Sequence, residues 1–284
     1  MIVLRELAPA KINLYLHVIG KRKDGYHLLD SLIGFADLHD KLEVVPADTI
    51  TVAVEGPFAP SLSADDNSVI KAARALQALS KVTAGAAITL HKNLPVGAGI
   101  GGGSADAAAV LRLLMRFWKI KPSPKEIHTL ALSLGADVPA CMRSSSLYMS
   151  GIGEVIEPGP VLSDLWIVLV HPAKPLLSAQ VFKDRAGAFS QATSHPHAFL
   201  EPQAAINFLQ KTRNDLQSTA AKLVPEIGDV LDALSAEKEC MLARMSGSGS
   251  ACFGVFSNQQ QADKMQLQLS ARHPGWWIKT AHIR

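Results

Sequence analysis

The stretch that decides the fold runs from Pro95 to Ala109 and reads PVGAGIGGGSADAAA. Five glycines fall within the seven positions from 97 to 103. Glycine adopts positive φ readily, so such a loop can turn several backbone N–H groups toward one anion. A helix is predicted from Ala107 to Trp118, and its positive end would face the same anion. The stretch therefore predicts a phosphate chain held by backbone amides, with Ser104 adding a hydroxyl at the helix start.

Two other phosphate-binding motifs share this glycine content, and their usual surroundings are missing. G-x-G-x-x-G occurs at Gly97, Gly99 and Gly102, but a Rossmann loop has an acidic residue about 20 positions further on. No acidic residue lies between Asp106 and Glu126. A Walker A loop requires a Gly-Lys-Ser or Gly-Lys-Thr sequence, and this loop contains no lysine. A dinucleotide-dependent oxidoreductase is therefore a poor interpretation, which only tight NAD binding would revive.

The composition is that of an ordinary folded chain. The 284 residues are 48% hydrophobic and 19% charged, with a formal net charge of +3. No basic stripe typical of nucleic-acid binders is present, so nucleic acid is not an expected partner. We expect no signal peptide and no membrane partner, since no apolar run approaches the length of a bilayer span. Three widely spaced cysteines, at 141, 240 and 252, predict reduced thiols in the cytoplasm rather than a disulfide or zinc site.

The order of predicted strands and helices is mixed rather than regularly alternating, which indicates an α+β fold. Residues 2–18 predict one or two strands interrupted at Pro9, and Asp65–Asn67 predicts a helix start. We place a domain boundary near residue 160, because the second half restarts with its own strand and helices. This division predicts an N-terminal domain over residues 1–160 and a C-terminal domain over residues 161–284.

The glycine-rich stretch resembles the central motif of the GHMP kinases, the superfamily of galactokinase, homoserine kinase, mevalonate kinase and phosphomevalonate kinase. Two further stretches agree in order, APAKINLYLHVIGKRKDGYHLLDSL from Ala8 and MSGSGSACFGVF from Met245. The resemblance implies a two-domain GHMP kinase fold with the active site in the cleft between domains, and the use of ATP and Mg²⁺. The ATP-binding residues that it implies are Pro95, Val96, Gly97, Ala98, Gly99, Ile100, Gly101, Gly102, Gly103, Ser104 and Ala105.

Lys11 and Asp137 are the candidate catalytic residues. From the residues alone, an aspartate near a helix start is often an N-cap, and a lysine among apolar residues is often a snorkelling strand residue. The resemblance implies instead that Asp137 is the general base and that Lys11 pairs with it and orients the substrate hydroxyl. No protein metal site is expected with certainty: Mg²⁺ is expected to travel with ATP, and Ser104 is a candidate contact for it. Ala105 replaces a second serine common in the family, so any contact of that hydroxyl is lost.

The first motif is similar to one member of the superfamily whose small-molecule substrate has a cytidine diphosphate handle. That resemblance implies that His27 hydrogen-bonds the base edge and that Tyr26 and Phe182 stack on it from opposite sides. From the residues alone, Tyr26 and His27 fit an ordinary exposed turn equally well. The resemblance also implies substrate contacts for Asn13, which shares a strand face with Lys11, and for the second glycine loop at Gly247 and Ser248. Without it, Asn13 is a polar surface residue and that loop a tight turn.

Two other functions stay open from the sequence. A kinase for another acceptor, such as homoserine or mevalonate, is disfavoured by the Gly25–His27 turn, and a comparison of turnover on these substrates would decide. A nucleotide-binding module without catalysis is disfavoured by the presence of Lys11 and Asp137. The expected state of the protein is a monomer or a weak homodimer.

Overall fold

The computed structural model describes residues 3–63, 67–162 and 165–283. The chain folds as two units that interleave along the sequence. Unit 1 comprises Met1–Ala10, Leu38–Val96 and Gly101–Ser144, and unit 2 comprises Lys11–Asp37, Gly97–Ile100 and Ser145–Arg284. The predicted boundary near residue 160 cuts the chain once, whereas each unit draws on three stretches. That boundary stays a prediction from sequence.

Two long strands contribute residues to both units. They are β1, Leu4–Lys21, and β2, His27–Val45, and they pair with each other. The predicted interruption of the first strand at Pro9 is wrong, because β1 runs through Pro9 without a break. Proline fixes φ near about −65°, which an extended chain accepts. The strand therefore lacks one N–H donor at Pro9 but continues through this residue. Ile2, at the start of that prediction, lies outside the described residues.

Unit 1 places helices beside a small sheet. Its further elements are β3 Ile50–Glu55, a 3₁₀ turn at Ala59–Ser61, α1 Ser68–Ser80, β4 Ala86–His91, α2 Gly102–Phe117, α3 Pro124–Leu134 and α4 Val138–Arg143. Strand β4 lies between β2 and β3, antiparallel to β2 with Lys41 opposite His91 and parallel to β3 with Ile50 opposite Ala86. Two strands that are neighbours in sequence are therefore separated by one that comes later.

Helix termini in unit 1 follow local chemistry. The Asn67 side chain caps α1 by accepting hydrogen bonds from the amides of Val69 and Ile70. Asp65 and Asp66, from the same predicted helix start, lie outside the described residues. At α3, Ser123 and Glu126 form a capping box, with a proline in the first turn. The Asn67 cap agrees with the predicted helix start, because a cap depends on residues close in sequence.

Helix α2 is the packing centre of unit 1. It is rich in alanine, and Ala105, Ala107, Ala108 and Ala109 are all buried. Small side chains let α1 and α4 approach it closely. The amino end of this helix, where the glycine-rich loop joins it, is thereby held on a rigid element.

Unit 2 is built on an antiparallel sheet. Its further elements are β5 Leu147–Gly151, β6 Val155–Pro158, β7 Leu165–His171, α5 Ser178–Asp184, α6 Pro202–Gln210, α7 Gln217–Leu223, α8 Glu226–Ser235, β8 Leu242–Met245, β9 Cys252–Phe256, α9 Gln259–Arg272 and β10 Trp277–Ile283. Strand β7 pairs with both β10 and β9, and β8 pairs with β9. Strand β5 joins β2 on one side and β6 on the other.

The sequence did not predict β6, α7, β8 or the first half of β2, since short or uniformly buried segments show no clear period. None of the described helices is both long and apolar enough to cross a membrane.

Candidate functional site

The glycine-rich loop combines left-handed glycines with the start of a helix. Gly97, Gly99 and Gly101 have φ values of 69°, 75° and 65°. Helix α2 begins at Gly102, earlier than the predicted start at Ala107. Glycine has a low helix propensity, which hid this first turn from the sequence pattern. The last part of the loop is therefore the amino end of the helix, where free N–H groups and the helix dipole favour an anion.

Four consecutive carbonyl groups of the loop are bonded within unit 2. Gly97 O accepts from the Leu176 amide at 3.2 Å and Ala98 O from the Ala251 amide at 2.9 Å. The next two oxygens accept from Ser246 Oγ at 3.3 Å and from the Lys11 amide at 2.9 Å. In contrast, none of the N–H groups of residues 97–104 donates to another group in the described part of the chain. The loop is therefore anchored through its acceptors, while its donors meet no acceptor within the described residues.

Glycine is required where this loop meets the second glycine loop, residues 246–250. A Cβ on Gly99 would lie 2.4 Å from the carbonyl oxygen of Gly249, and one on Gly247 would lie 2.7 Å from Gly99 O. Both contacts are with backbone, which cannot move aside. The two loops thus touch main chain to main chain, a distance that no larger residue permits.

A buried charge cluster in unit 1 joins Lys92, just before the glycine-rich loop, and Asp106, just after it, to Asp40 on β2. Lys92 Nζ lies 2.5 Å from Asp40 Oδ2 and 2.7 Å from Asp106 Oδ2. The other oxygen of Asp40 accepts from the amides of Asn93, at 2.5 Å, and Leu94, at 2.8 Å. Asp40 therefore holds the turn that enters the loop. No local pattern predicts this cluster, since its members come from β2, the residue after β4 and α2.

Ionisation in the cluster is set by burial and by the charges themselves. Burial opposes the charge on Lys92, but Asp106 and Asp40 together raise the pKa of its ammonium group. Burial raises the pKa of Asp106 to about 7, and Lys92 opposes that rise. Asp106 Oδ1 has no hydrogen-bond partner among the described groups. The lysine charge thus opposes the cost of burying two aspartate side chains away from water.

Lys11 is buried in unit 2, with a residue exposure of 3%. The interpretation of a snorkelling lysine at a surface edge therefore does not fit. Lys11 Nζ donates to Asn13 Oδ1 at 3.1 Å, so the predicted shared face is confirmed. Asn13 in turn donates from Nδ2 to Ser31 Oγ at 2.8 Å and from its amide to Ser246 Oγ at 3.1 Å. The strand β1 thus presents an oriented ammonium group and an amide side chain beside the second glycine loop.

Asp137 is the residue just before α4, in unit 1. Its side chain makes no capping hydrogen bond to that helix, so simple capping does not explain the aspartate. Val138 and Pro139, which follow it, are buried and fix the position of the turn. Lys11 belongs to unit 2, and its pairing with Asp137 stays a prediction.

Two of the three residues predicted for the cytidine pocket lie together in unit 2. The His27 and Phe182 rings are stacked, with centroids 5.5 Å apart and planes at 28°. Tyr26 is 60% exposed and follows the turn at Asp24 and Gly25. Burial, with Lys21 and Arg185 nearby, lowers the pKa of His27. A neutral imidazole has one donor and one acceptor, which suits the edge of a base.

The second glycine loop is held by side chains that the sequence analysis did not assign to the site. Asn214 Nδ2 donates to the carbonyls of Met245 and Gly247, both at 2.8 Å. Ser248 Oγ lies 2.6 Å from Ser178 Oγ at the start of α5. From the sequence, capping and packing explain Asn214 adequately, and its two loop partners lie some thirty residues away along the chain.

No group of three or more His, Cys, Asp or Glu side chains that could hold a metal ion occurs among the described residues. The hydroxyl of Ser104, in the first turn of α2, is a hard oxygen donor of the kind that Mg²⁺ accepts.

Two family models match the chain, and curated relatives are similar to it over nearly their whole length. Residues 67–145 match the GHMP kinases N terminal domain, and residues 196–275 match the GHMP kinases C terminal model. A 4-diphosphocytidyl-2-C-methyl-D-erythritol kinase of Paramagnetospirillum magneticum is 49% identical over 276 residues, covering 97% of each chain. One of Rhodospirillum rubrum is 46% identical, covering 98% of this chain and 92% of that one.

A solved structure is similar to the chain as well. The crystal structure of a 4-(cytidine 5'-diphospho)-2C-methyl-D-erythritol kinase superposes with a TM-score of 0.80 at 30% identity, covering 98% of this chain and 99% of the other. Similarity of this extent reaches both family domains and every motif described above. The chain therefore belongs to the GHMP kinases, and within them to the 4-diphosphocytidyl-2-C-methyl-D-erythritol kinase family.

Proposed function

We propose that this enzyme transfers the γ-phosphoryl group of ATP to the 2-hydroxyl of 4-diphosphocytidyl-2-C-methyl-D-erythritol. The products are the 2-phosphate and ADP, and the step belongs to the non-mevalonate isoprenoid pathway. The observation that carries the proposal is the glycine-rich loop, whose carbonyls are bonded to protein while its N–H groups at the start of α2 remain available. That arrangement is suited to a polyphosphate.

The ATP phosphates are assigned to the loop from Pro95 to Ala105. Backbone amides and the helix dipole supply positive potential without a titratable group, so binding does not require a protonation step. Mg²⁺ bound with ATP would neutralise charge on the phosphate oxygens, and Ser104 is the residue that would contact it.

The chemical step is assigned to Asp137 and Lys11. Asp137 accepts the proton of the 2-hydroxyl while that oxygen attacks the γ-phosphorus, and the bond from this phosphorus to the ADP oxygen breaks. Lys11, held by Asn13 at 3.1 Å, orients the hydroxyl and offsets negative charge near the transferred group. A general base of this kind contributes about 10²–10⁴ in rate.

Recognition of the substrate is assigned to the cytidine diphosphate handle. The stacked pair of His27 and Phe182, with the exposed Tyr26 ring close in sequence, offers base stacking and a base-edge contact. Asn13, Gly247 and Ser248 are assigned to the rest of the substrate. A homoserine or mevalonate acceptor has no base for such an aromatic pair. The same proposal includes a cytoplasmic location, where ATP is supplied, and a monomer or weak homodimer.

Coupled ADP release with purified protein tests the proposal. Wild type should turn over the cytidylylated substrate and neither homoserine nor mevalonate. Asp137→Asn should lower kcat by about 10²–10⁴ with little change in ATP binding. Asp229→Asn, an exposed carboxylate in α8, is the matched control and should retain full activity.

The outcomes separate the parts of the proposal. Turnover of homoserine or mevalonate in place of the cytidylylated substrate would overturn the acceptor assignment. Full activity of Asp137→Asn would overturn only the role of that carboxylate. ATP binding without ADP release on any acceptor would support a nucleotide-binding module.

A further inference from the structure

The connection between α5 and α6, residues 185–201, has no helix or strand of its own. Structureless connections beyond about 12–15 residues are uncommon in folded domains, and they are often functional. Helix α5, which precedes the connection, carries Phe182 and buries only Val181. The position of Phe182 therefore depends on what holds the chain on either side of this short helix.

Asp30, on β2, is the centre of the contacts that hold the connection. It is 1% exposed, and its Oδ2 accepts from the Thr193 amide at 2.6 Å. Its Oδ1 lies 2.9 Å from His195 Nε2 and accepts from the buried Tyr15 hydroxyl at 2.8 Å. Burial alone would raise the pKa of Asp30, but these hydrogen bonds lower it overall. Asp30 is thus a buried carboxylate with two of its partners on the connection.

A second set of contacts lies on β5. The His195 ring stacks on Tyr148, with centroids 4.1 Å apart and planes at 3°. The Tyr148 hydroxyl donates to Pro196 O at 2.9 Å. Glu157 approaches the other nitrogen of His195 only at 3.4 Å, and its side chain is 62% exposed. The strong contacts of His195 are therefore with Asp30 and Tyr148.

A third set lies at the end of β1. The Ser190 amide donates to Val18 O at 2.9 Å, and Ser190 Oγ donates to Asp215 at 2.6 Å. His17 Nε2 accepts from the Arg213 amide, so Nδ1 carries the proton of the neutral ring and faces Thr193 Oγ1 at 3.1 Å. The connection is thus held on both strands that flank the turn near Tyr26 and His27, β1 before it and β2 after it.

We infer that Asp30 is a positioning residue that sets the spacing of the His27–Phe182 pair and so the selection of the nucleobase of the substrate. This inference rests on the proposed function. His27 lies three residues before Asp30 on β2, and Phe182 lies just before the segment that Asp30 holds. Fastening removes conformations of the connection that would let α5 and its ring drift away from His27. Asp30 itself touches no reacting atom.

Steady-state kinetics of Asp30→Asn tests the inference. We expect the KM for the cytidylylated substrate to rise about tenfold, the loss of one charge-assisted hydrogen bond, while kcat and the KM for ATP stay within about twofold. Preference for the cytidylylated over the uridylylated substrate should fall by a similar factor. Glu157→Gln, which removes only the weak outer contact of His195, is the matched control and should behave as wild type.

A variant on the connection distinguishes the positioning role of Asp30 from a general loss of structure. His195→Leu leaves Asp30 in place and should raise the same KM, and the double variant should be less than additive because both changes break one contact. If Asp30→Asn fails to fold, His195→Leu and Tyr148→Phe carry the test. An unchanged substrate KM in folded variants, or an equal rise in the KM for ATP, would overturn the inference. Failure of wild type to use the cytidylylated substrate would instead overturn the proposed function.

Discussion

The two glycine loops of this enzyme have similar compositions but differ in how their backbone N–H groups are bonded. In the first, residues 97–104, four carbonyls are bonded and the N–H groups donate to nothing in the described chain. In the second, residues 246–250, the Ser246 amide donates to Ala251 O and the Gly249 amide to Ser246 O. The first loop enters a helix and the second enters a strand.

This difference shows that glycine content does not by itself make an anion site. Glycine permits the conformation, but the hydrogen-bond partners of the loop decide which groups remain for a ligand. Two amides of the second loop bond carbonyls within residues 246–251, and Asn214 holds the loop from outside where it meets the first loop. Three predictions test how far the two loops differ.

The largest expected effect concerns the buried cluster of Lys92, Asp40 and Asp106 beside the first loop. Lys92→Met leaves Asp40 and Asp106 buried without their cation and should lower the free energy of unfolding by about 3–5 kcal/mol. Chemical denaturation at neutral pH measures this loss. Lys41→Met, which breaks a surface ion pair with Glu43, is the control and should cost no more than about 1 kcal/mol. Equal losses in the two variants would show that the buried cluster does not hold the loop.

The next effect concerns the contact between the loops. Gly99→Ala forces a methyl group against the carbonyl of Gly249 at a φ of +75°, so the loops must separate. Displacement by about 1 Å costs about a hundredfold in activity, and kcat/KM should fall by that order. Gly228→Ala in α8, where nothing lies within 4 Å of the new methyl, should keep full activity and gain slight stability. A fully active Gly99→Ala would show that the two loops act independently.

The smallest expected effect concerns the titration of His171, which bonds the Lys174 backbone beside the second loop. Ser250 Oγ donates to the Lys174 carbonyl, and the Lys174 backbone also bonds His171. Burial lowers the pKa of His171 to about 4, against the opposing effect of that bond. The unfolded chain therefore binds the proton more readily, and stability should fall by about 1.4 kcal/mol per unit as pH drops below about 6.5 toward 4.

Urea denaturation at pH 7.0 and pH 5.5 measures this dependence. In His171→Asn the difference between the two pH values should shrink by about 1 kcal/mol, because the titrating ring is gone. Because the free energies of unfolding at the two pH values are compared within each protein, a loss of stability that His171→Asn causes equally at both pH values cancels. An unchanged difference would show that the proton binds elsewhere.

Local features of the fold were predictable because they depend on neighbouring residues. The capping box at Ser123 and Glu126, the Asn67 cap and the last strand from Trp277 to Ile283 follow from short patterns. Pro9 misled the prediction, since proline penalises a helix far more than an extended strand. Strand β8 has 4 residues and helix α7 has 7. Segments this short show no distinct hydrophobic period, so neither was predicted.

The candidate site residues likewise separate into those that a local motif predicts and those that contacts between distant residues bring together. Lys11, Asn13, His27 and the glycine-rich loop were predicted because each stands in a dense motif. Asp30 and His195 were not, since 165 positions separate them and no local pattern shows their contact, although Asp30 lies in the stretch quoted from Ala8. Lys92 likewise meets Asp40 across 52 positions. Side chains that hold a site in place need only a partner of the right chemistry, which leaves no pattern in sequence.

By itself, the sequence determined the glycine-rich stretch, the helix behind it and the family, because a glycine-rich turn followed by an alanine-rich helix is a local property of the chain. Only the tertiary structure decided which amides of that stretch stay available and which carbonyls are bonded. It also decided that Asp30 fastens the segment after Phe182. The physical reason is that hydrogen-bond satisfaction depends on every group that comes within about 3 Å, and most such groups are distant along the chain.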